Sequence, residues 1–292
     1  MTIFVTGAAG FIGANVVRAF LAKGYDIHAI VKSSTNIWRL KDIEKKIHIH
    51  AVDLSDLSKL TRLCTHINPY AIFHFAARGS SMEDADAAAI ERVNVLGTLN
   101  LLLATQKISY HAFINTGSSS EYGFKKRPMK ETNILEPVSV YGATKAAATL
   151  LCSVFARNEH KPIVTLRPFS VYGPFESGKR FIPTVIRAIL ANTPIHVTSE
   201  KVRRDFVYID DVVSAYVAAL LAAPRIHGEV FNVGSGIQWT NNQVVQTLFA
   251  VTKQSVPIEV GAFPKRYWDT TYWKADRKKA GVVLGWKPQV SL

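Results

Sequence analysis

Gly7-Ala-Ala-Gly10-Phe-Ile-Gly13 lies between a short apolar run, residues 3–6, and a stretch of helical periodicity over residues 11–23. A plain strand–helix turn does not need three glycines at three-residue spacing. Gly7 permits the tight turn, Gly10 lets backbone approach a pyrophosphate, and Gly13 lets the helix pack closely on the sheet. The first-turn amides, those of Phe11 and Ile12 among them, then face phosphate oxygens. Strand, glycine loop and helix in that order point to a bound dinucleotide.

The same alternation continues outward from the loop. Residues 26–31, 47–52, 71–75, 111–116 and 162–167 look strand-like, and residues 85–106 and 140–157 look helical. Such alternation implies βαβ units and a parallel sheet with helices on both faces. After Arg167 the pattern loosens, punctuated by Pro168, Gly173, Pro174, Gly178, Pro183 and Pro194. The expectation is therefore a doubly wound α/β domain over residues 1–170. Residues 171–292 are expected to form mainly a smaller lobe. Residues 207–212 and 230–233 are candidates for strands that return to the main sheet.

Composition narrows the partners. The chain has 292 residues, 48% hydrophobic and 20% charged, which suits a globular α/β protein with an ample core. The net charge of +13 is spread over short clusters such as Lys125-Lys-Arg127 and Arg277-Lys-Lys279, without the long basic run that nucleic acid would favour. A positive field of this kind also attracts polyanionic small molecules. No apolar run reaches the ~18 residues that span a bilayer, so neither nucleic acid nor membrane is expected as a partner. The apolar start, without a basic n-region, reads as a first strand and not a leader. Cys64 and Cys152, both in apolar helical contexts, suggest buried free thiols, a reducing compartment and hence the cytoplasm. No metal ligands are assigned.

Within this frame Tyr141 and Lys145 fall four residues apart in Ser139-Val-Tyr-Gly-Ala-Thr-Lys145. On a helix they share a face, roughly 6 Å apart along the axis. A neighbouring ammonium favours the phenolate and brings a tyrosine closer to useful acid–base work. At the adenosine end, a carboxylate after the second strand would bind the ribose of NAD. The chain instead reads Val31-Lys32-Ser33-Ser34. Lys32 and Ser33 suit a 2′-phosphate, so the expectation leans to NADP over NAD; Lys32 as a plain surface residue is the alternative. Asp53-Leu54 is placed to approach the adenine edge, and an N-cap role for Asp53 or Ser55 fits equally well.

These residues belong to a longer series: Thr6-Gly-Ala-Ala-Gly-Phe-Ile-Gly13, His74-Phe-Ala-Ala77, Asn94-Val-Leu-Gly-Thr98, Ser118-Ser-Ser-Glu-Tyr-Gly123, Tyr141-Gly-Ala-Thr-Lys145, Leu166-Arg-Pro-Phe-Ser-Val-Tyr-Gly-Pro174, Arg204-Asp-Phe-Val-Tyr-Ile-Asp-Asp211 and Phe231-Asn-Val-Gly-Ser235. With them the chain resembles, almost end to end, the extended short-chain dehydrogenase/reductases that act on nucleotide-sugars. The resemblance implies a Rossmann-type fold with a substrate-binding lobe. It implies that Tyr141 is the acid/base at a sugar hydroxyl, that Lys145 lowers its pKa and binds the nicotinamide ribose, and that Ser118 hydrogen-bonds the reacting oxygen. It places Ala76 against the cofactor and Ser119, Ser170, Arg204 and Arg266 at the substrate, the two arginines on its diphosphate. Asn94 would steady the cofactor edge of the sheet, and His74 reads as a packing residue. Relatives commonly form homodimers through two helices that here would be residues 85–106 and 140–157.

Two departures bear on the reaction. The family's 4,6-dehydratases follow their Ser or Thr with an Asp-Glu pair; here Ser119 and Ser120 stand there and Glu121 is displaced by one residue. A one-residue displacement aims a side chain elsewhere, which argues against a dehydratase. The family's substrate-touching Asn is Ser170. The missing carboxylate after the second strand tips the expectation to NADPH-dependent reduction of a 4-keto-sugar nucleotide. The alternative is a 4-epimerase with tightly bound NAD, and a non-catalytic cofactor sensor on the same fold is a remoter one.

Overall fold

The computed structural model describes residues 1–79, 86–199, 201–262 and 269–292. The first half runs β1 (Thr2–Thr6), α1 (Phe11–Ala22), β2 (Asp26–Val31), β3 (His48–Ala51), α2 (Leu57–Ile67), β4 (Ala71–His74), α3 (Ala87–Glu91), α4 (Gly97–Thr105), β5 (Ala112–Thr116), α5 (Val140–Asn158) and β6 (Ile163–Pro168). Thereafter come β7 (Ser170–Tyr172), α6 (Phe181–Leu190), β8 (Ile195–Val197), β9 (Arg203–Arg204), β10 (Phe206–Tyr208), α7 (Ile209–Ala222), β11 (Val230–Val233), β12 (Trp239–Thr240), α8 (Asn241–Thr252), β13 (Ile258–Val260) and α9 (Lys278–Val283).

Seven strands form one sheet in the order β11-β6-β5-β4-β1-β2-β3, every neighbouring pair parallel. Strand alternation divides the core between two faces. Ile3, Val5, Ile27, Ala29, Ala71 and Phe73 pack against Val16, Val17 and Phe20 of α1 and against Val212, Ala215, Tyr216 and Ala219 of α7. Phe4, Ile30, Ile72, Phe113 and Ile163 face Leu60 and Cys64 of α2, Leu101 and Leu102 of α4, and Cys152 and Ala156 of α5. This is the expected doubly wound Rossmann architecture. The strand order reverses between β1 and β4, and such a reversal opens a ligand crevice at the strands' C-terminal ends.

Local chemistry fixes the helices that border the crevice. Asp56 caps α2 by accepting from the Lys59 amide at 3.0 Å, so the cap falls on neither Asp53 nor Ser55. Ser139 caps α5 by accepting from Gly142 N at 3.0 Å. One turn, Arg92–Leu96, widens to a π-helix between α3 and α4. The continuous helical stretch Ala87–Thr105 is long and apolar enough to cross a membrane by length and composition, yet Leu101 and Leu102 are buried in the α2-side core.

Of the two candidate returning strands, β11 joins the main sheet beside β6. Residues 207–212 do not. β10 pairs with β7 in a separate two-stranded sheet, and the chain turns into α7 at Ile209. Asp210 and Asp211 stand in the first turn of α7, where carboxylates favour the positive end of a helix. Val185, Ile189, Ile195, Val197, Val245 and Val256, from α6, β8, α8 and the segment before β13, form a separate small core.

Candidate active site

The glycine loop closes at the crevice through a 2.9 Å bond from Gly10 N to Gly7 O. Gly7 has φ +67°, and a Cβ there would lie 2.4 Å from Ala76 N; one on Gly13 would lie 2.3 Å from Gly7 O. Gly13 therefore serves the passage of α1 over the loop itself. Gly10 caps α1 without a side-chain hydrogen bond, leaving the first-turn amides to a ligand. This backbone cradle, which a side chain would fill, fits a dinucleotide diphosphate, with Phe11, Ile12 and Ala76 around it.

At the adenosine end Lys32 and Ser33 are exposed. Lys32 Nζ lies 3.4 Å from Asp53 Oδ2, while Asp53 Oδ1 accepts from Ser55 N and Ser55 Oγ, each at 2.9 Å. The Ser55 amide, with further help from Lys32, holds the Asp53 carboxyl below the usual range. A 2′-phosphate brought to Lys32 would thus meet a carboxylate as well. Leu54 packs against Gly97, and its carbonyl accepts from Asn100 at 2.8 Å.

A second segment latches onto the loop. Arg39 donates from Nε to Phe175 O at 2.7 Å and from Nη1 to Ala9 O at 3.3 Å. Asn15 Nδ2 donates to Pro174 O at 3.1 Å, and the Arg18 guanidinium lies 4.4 Å from the Phe175 ring centre. Neither Arg39 nor Phe175 carries a sequence signal; residues 136 apart in the chain meet only through the fold.

Ser118 opens a short 3₁₀ turn, Ser119–Tyr122, at the end of β5. Its Oγ accepts from Ser120 N at 3.1 Å, and its amide donates to Glu121 Oε1 at 2.7 Å. Glu121 is fully buried and also takes Thr149 Oγ1 at 3.1 Å and Arg167 Nε at 2.7 Å. Arg167 reaches on to Tyr122 OH at 2.9 Å, which donates to Asn232 Oδ1 at 2.7 Å. Glu121 thus points into the protein, as its displacement implies, and fixes Ser118 relative to α5 and β6. Gly142 brings α5 onto this turn, since a Cβ would lie 2.6 Å from Ser120 O.

The Tyr141 phenol stands beside Ser118 across that contact, close enough for Ser118 to act on it. The protein packed around the phenol raises its pKa, against the Ser118 hydrogen bond and the nearby Arg180 charge, which lower it. Lys145 is buried, and that burial lowers its pKa while Glu121 opposes the change. The Arg180 charge thus reaches the phenol, alongside Lys145 one turn along α5. Nothing in the sequence marks Arg180, which pairs with Glu176 at 3.6 Å in the loop after β7. Behind the site His74 bonds Thr6 Oγ1 at 2.6 Å and Thr98 Oγ1 at 2.9 Å; burial, then Lys145, brings its pKa down to about 3. It is a neutral packing residue. Buried Asn94, in the π-turn, holds Arg78 N and O at 2.8 and 2.9 Å and Thr144 Oγ1 at 2.9 Å.

Ser119 and Arg204, both expected at the substrate, each contact Trp273. Ser119 Oγ accepts from Trp273 Nε1 at 3.2 Å, and the Arg204 guanidinium stands 5.5 Å from the Trp273 ring centre and 3.3 Å from Asp269. Ser170 N donates to Asp205 O at 2.9 Å. The Asp205 carboxylate gathers Ser235 N, Ser235 Oγ, Gly236 N and Ala275 N at 2.7–3.0 Å, tying β11 to the segment that carries Trp273. Arg266 lies outside the described residues.

Residues 3–234 match the NAD dependent epimerase/dehydratase family. The chain belongs to that family. It is an enzyme on a short-chain dehydrogenase/reductase fold, and the family's cofactor is NAD, against the expected lean to NADP. The UDP-glucose 4-epimerase of Mycolicibacterium smegmatis is 31% identical over 303 residues, spanning 100% of this chain and 95% of that protein. A dTDP-glucose 4,6-dehydratase of Xanthomonas campestris is 30% identical, spanning 98% of this chain and 88% of that protein. The structure of Bacillus cereus UDP-glucuronic acid 4-epimerase with UDP-glucuronic acid and NAD superposes with a TM-score of 0.89 at 30% identity, covering 100% of this chain and 95% of that one.

Proposed function

We propose that this enzyme interconverts the C4 epimers of a UDP-hexose or UDP-hexuronic acid and keeps its NAD through turnover. The observation that carries the reading is the Ser118–Tyr141 pair with Glu121 withdrawn behind it. A hydroxyl and a phenol meeting at one point suit proton exchange at a single sugar oxygen. A carboxylate locked to Arg167 does not suit the extra proton transfers of dehydration. The relatives that act on UDP-glucose and UDP-glucuronic acid support the nucleotide and the reaction class.

Bound NAD supplies the place where the C4 hydride is held and from which it returns. Tyr141 takes the proton from the C4 hydroxyl and later gives it back, while Ser118 hydrogen-bonds the same oxygen. Lys145, one turn along α5 from Tyr141, favours the phenolate together with Arg180 once the cleft is filled. Return of the hydride to the other face requires the 4-keto-hexose to turn over while its diphosphate stays anchored, a task suited to Arg204 and Arg266 in a lobe formed mainly by residues 171–292. The Arg39–Phe175 latch on the glycine loop supports retention of the cofactor.

Native mass spectrometry of the purified protein tests the reading. A retained NAD on each chain is the expected result; an empty chain that takes up NADPH would overturn it and restore the ketoreductase.

The assembly we propose is a homodimer. Leu103 of α4 and Leu150 and Val154 of α5 are 38%, 57% and 43% exposed, forming an apolar face suited to a second copy. Leu150→Glu is expected to halve the molar mass measured by sedimentation velocity to that of the 32.3 kDa chain. A wild-type chain that already sediments as a monomer would remove the proposal.

A further inference from the structure

At the opposite end of the sheet from the glycine loop, Asp26 opens β2 and His48 opens β3. His28 and His50 follow two residues later in each strand, so alternation and the parallel register, with His28 opposite His48, put all four side chains on one face. Asp26 Oδ2 lies 3.3 Å from His28 Nε2, and Asp26 Oδ1 lies 3.2 Å from His48 Nε2. The ligand-capable atoms of Asp26, His28 and His48 all fall within 4.8 Å of one another. Behind them His28 Nδ1 meets His50 Nε2 at 2.9 Å, their rings parallel within 7°.

We propose that Asp26, His28 and His48 bind one divalent transition-metal ion of the Zn²⁺ type, with His50 fixing the tautomer of His28. Two imidazoles and a carboxylate are a common zinc ligand set, and bonds of about 2.0–2.2 Å place neighbouring ligand atoms about 3.3 Å apart in a tetrahedron. The two Asp26 oxygens stand at that distance from one imidazole each, so the carboxylate can bind the ion through either oxygen or both after a small adjustment. A ligating histidine characteristically donates its other ring N–H to a fixed acceptor, which His50 Nε2 supplies. With that tautomer the His28 Nε2 lone pair faces the Asp26 carboxylate, and a cation between them would be bound by both. The His28 side chain is 15% exposed while those of Asp26 and His48 open to solvent, leaving an entry path and room for water as a fourth ligand. An ion there would pin edge strand β3 to β2 and take no part in the reaction.

The test uses tag-free full-length protein, stripped with chelator and desalted, then titrated with Zn²⁺ against a chromophoric chelator. The wild type is expected to withdraw one equivalent and to show a raised melting temperature with Zn²⁺ present. His48→Gln, at an exposed position that the fold tolerates, is expected to lose both effects, and His50→Gln to weaken binding by about 10–100-fold. Absence of the one-equivalent uptake, or uptake unchanged in His48→Gln, would overturn the proposal.

Discussion

Tyr141→Phe is expected to lower kcat by about 10²–10⁴-fold, the usual contribution of a positioned acid/base, while nucleotide-sugar affinity stays within a few-fold of wild type. The phenol meets Ser118 at the crevice, and its ring stays in place when the hydroxyl is removed. The lost atom is the one that carries the proton, so the defect belongs to kcat and not to binding. Ser118→Ala removes a hydrogen bond but no proton carrier, and a smaller loss is expected. Turnover followed by NMR and binding followed by calorimetry separate the two quantities. Wild-type turnover in Tyr141→Phe would remove the phenol from the chemistry.

Glu121→Ala is expected to destabilise the fold by about 3–5 kcal/mol, because removing one partner strands the other's charge in the interior. Arg167 is 3% exposed and would keep only Tyr122 as a hydrogen-bond partner, while the Ser118 amide and Thr149 hydroxyl would lose their acceptor. Against a typical total of about 5–15 kcal/mol this is a large fraction. The urea midpoint measures it. Replacing Glu121 and Arg167 together with Leu and Met should recover much of the loss, since no charge is then stranded. A single variant as stable as wild type would mean that the pair does not anchor the serine turn.

Features carried by contiguous residues were legible in the sequence. The glycine loop, the alternation up to β6 and the helix that carries Tyr141 and Lys145 four residues apart all follow from the spacing. What depended on neighbours distant in the chain was not legible. Lys32 reads as a lone cation in the sequence, while β2–β3 pairing brings Asp53 beside it from 21 residues away. Residues 207–212 alternate like a strand, yet Asp210 and Asp211 favour a helix start, and the Asp211 carboxylate accepts Gln289 N and Val290 N at 2.8 and 3.0 Å. Arg180, whose charge lowers the Tyr141 pKa, sits in a loop with no periodicity to betray it. The Asp26–His28–His48 group likewise required the strand register before it became a cluster.

The most direct experiment incubates a UDP-hexose or UDP-hexuronic acid with the purified enzyme in D₂O, with no cofactor added, and follows the sugar by proton NMR. An epimerase that keeps its NAD gives the C4 epimer, retains protium at C4 and leaves C5 unlabelled, because the hydride never exchanges with solvent. Deuterium at C5 with a 4-keto-6-deoxy product, or conversion that requires stoichiometric NADPH, would contradict it.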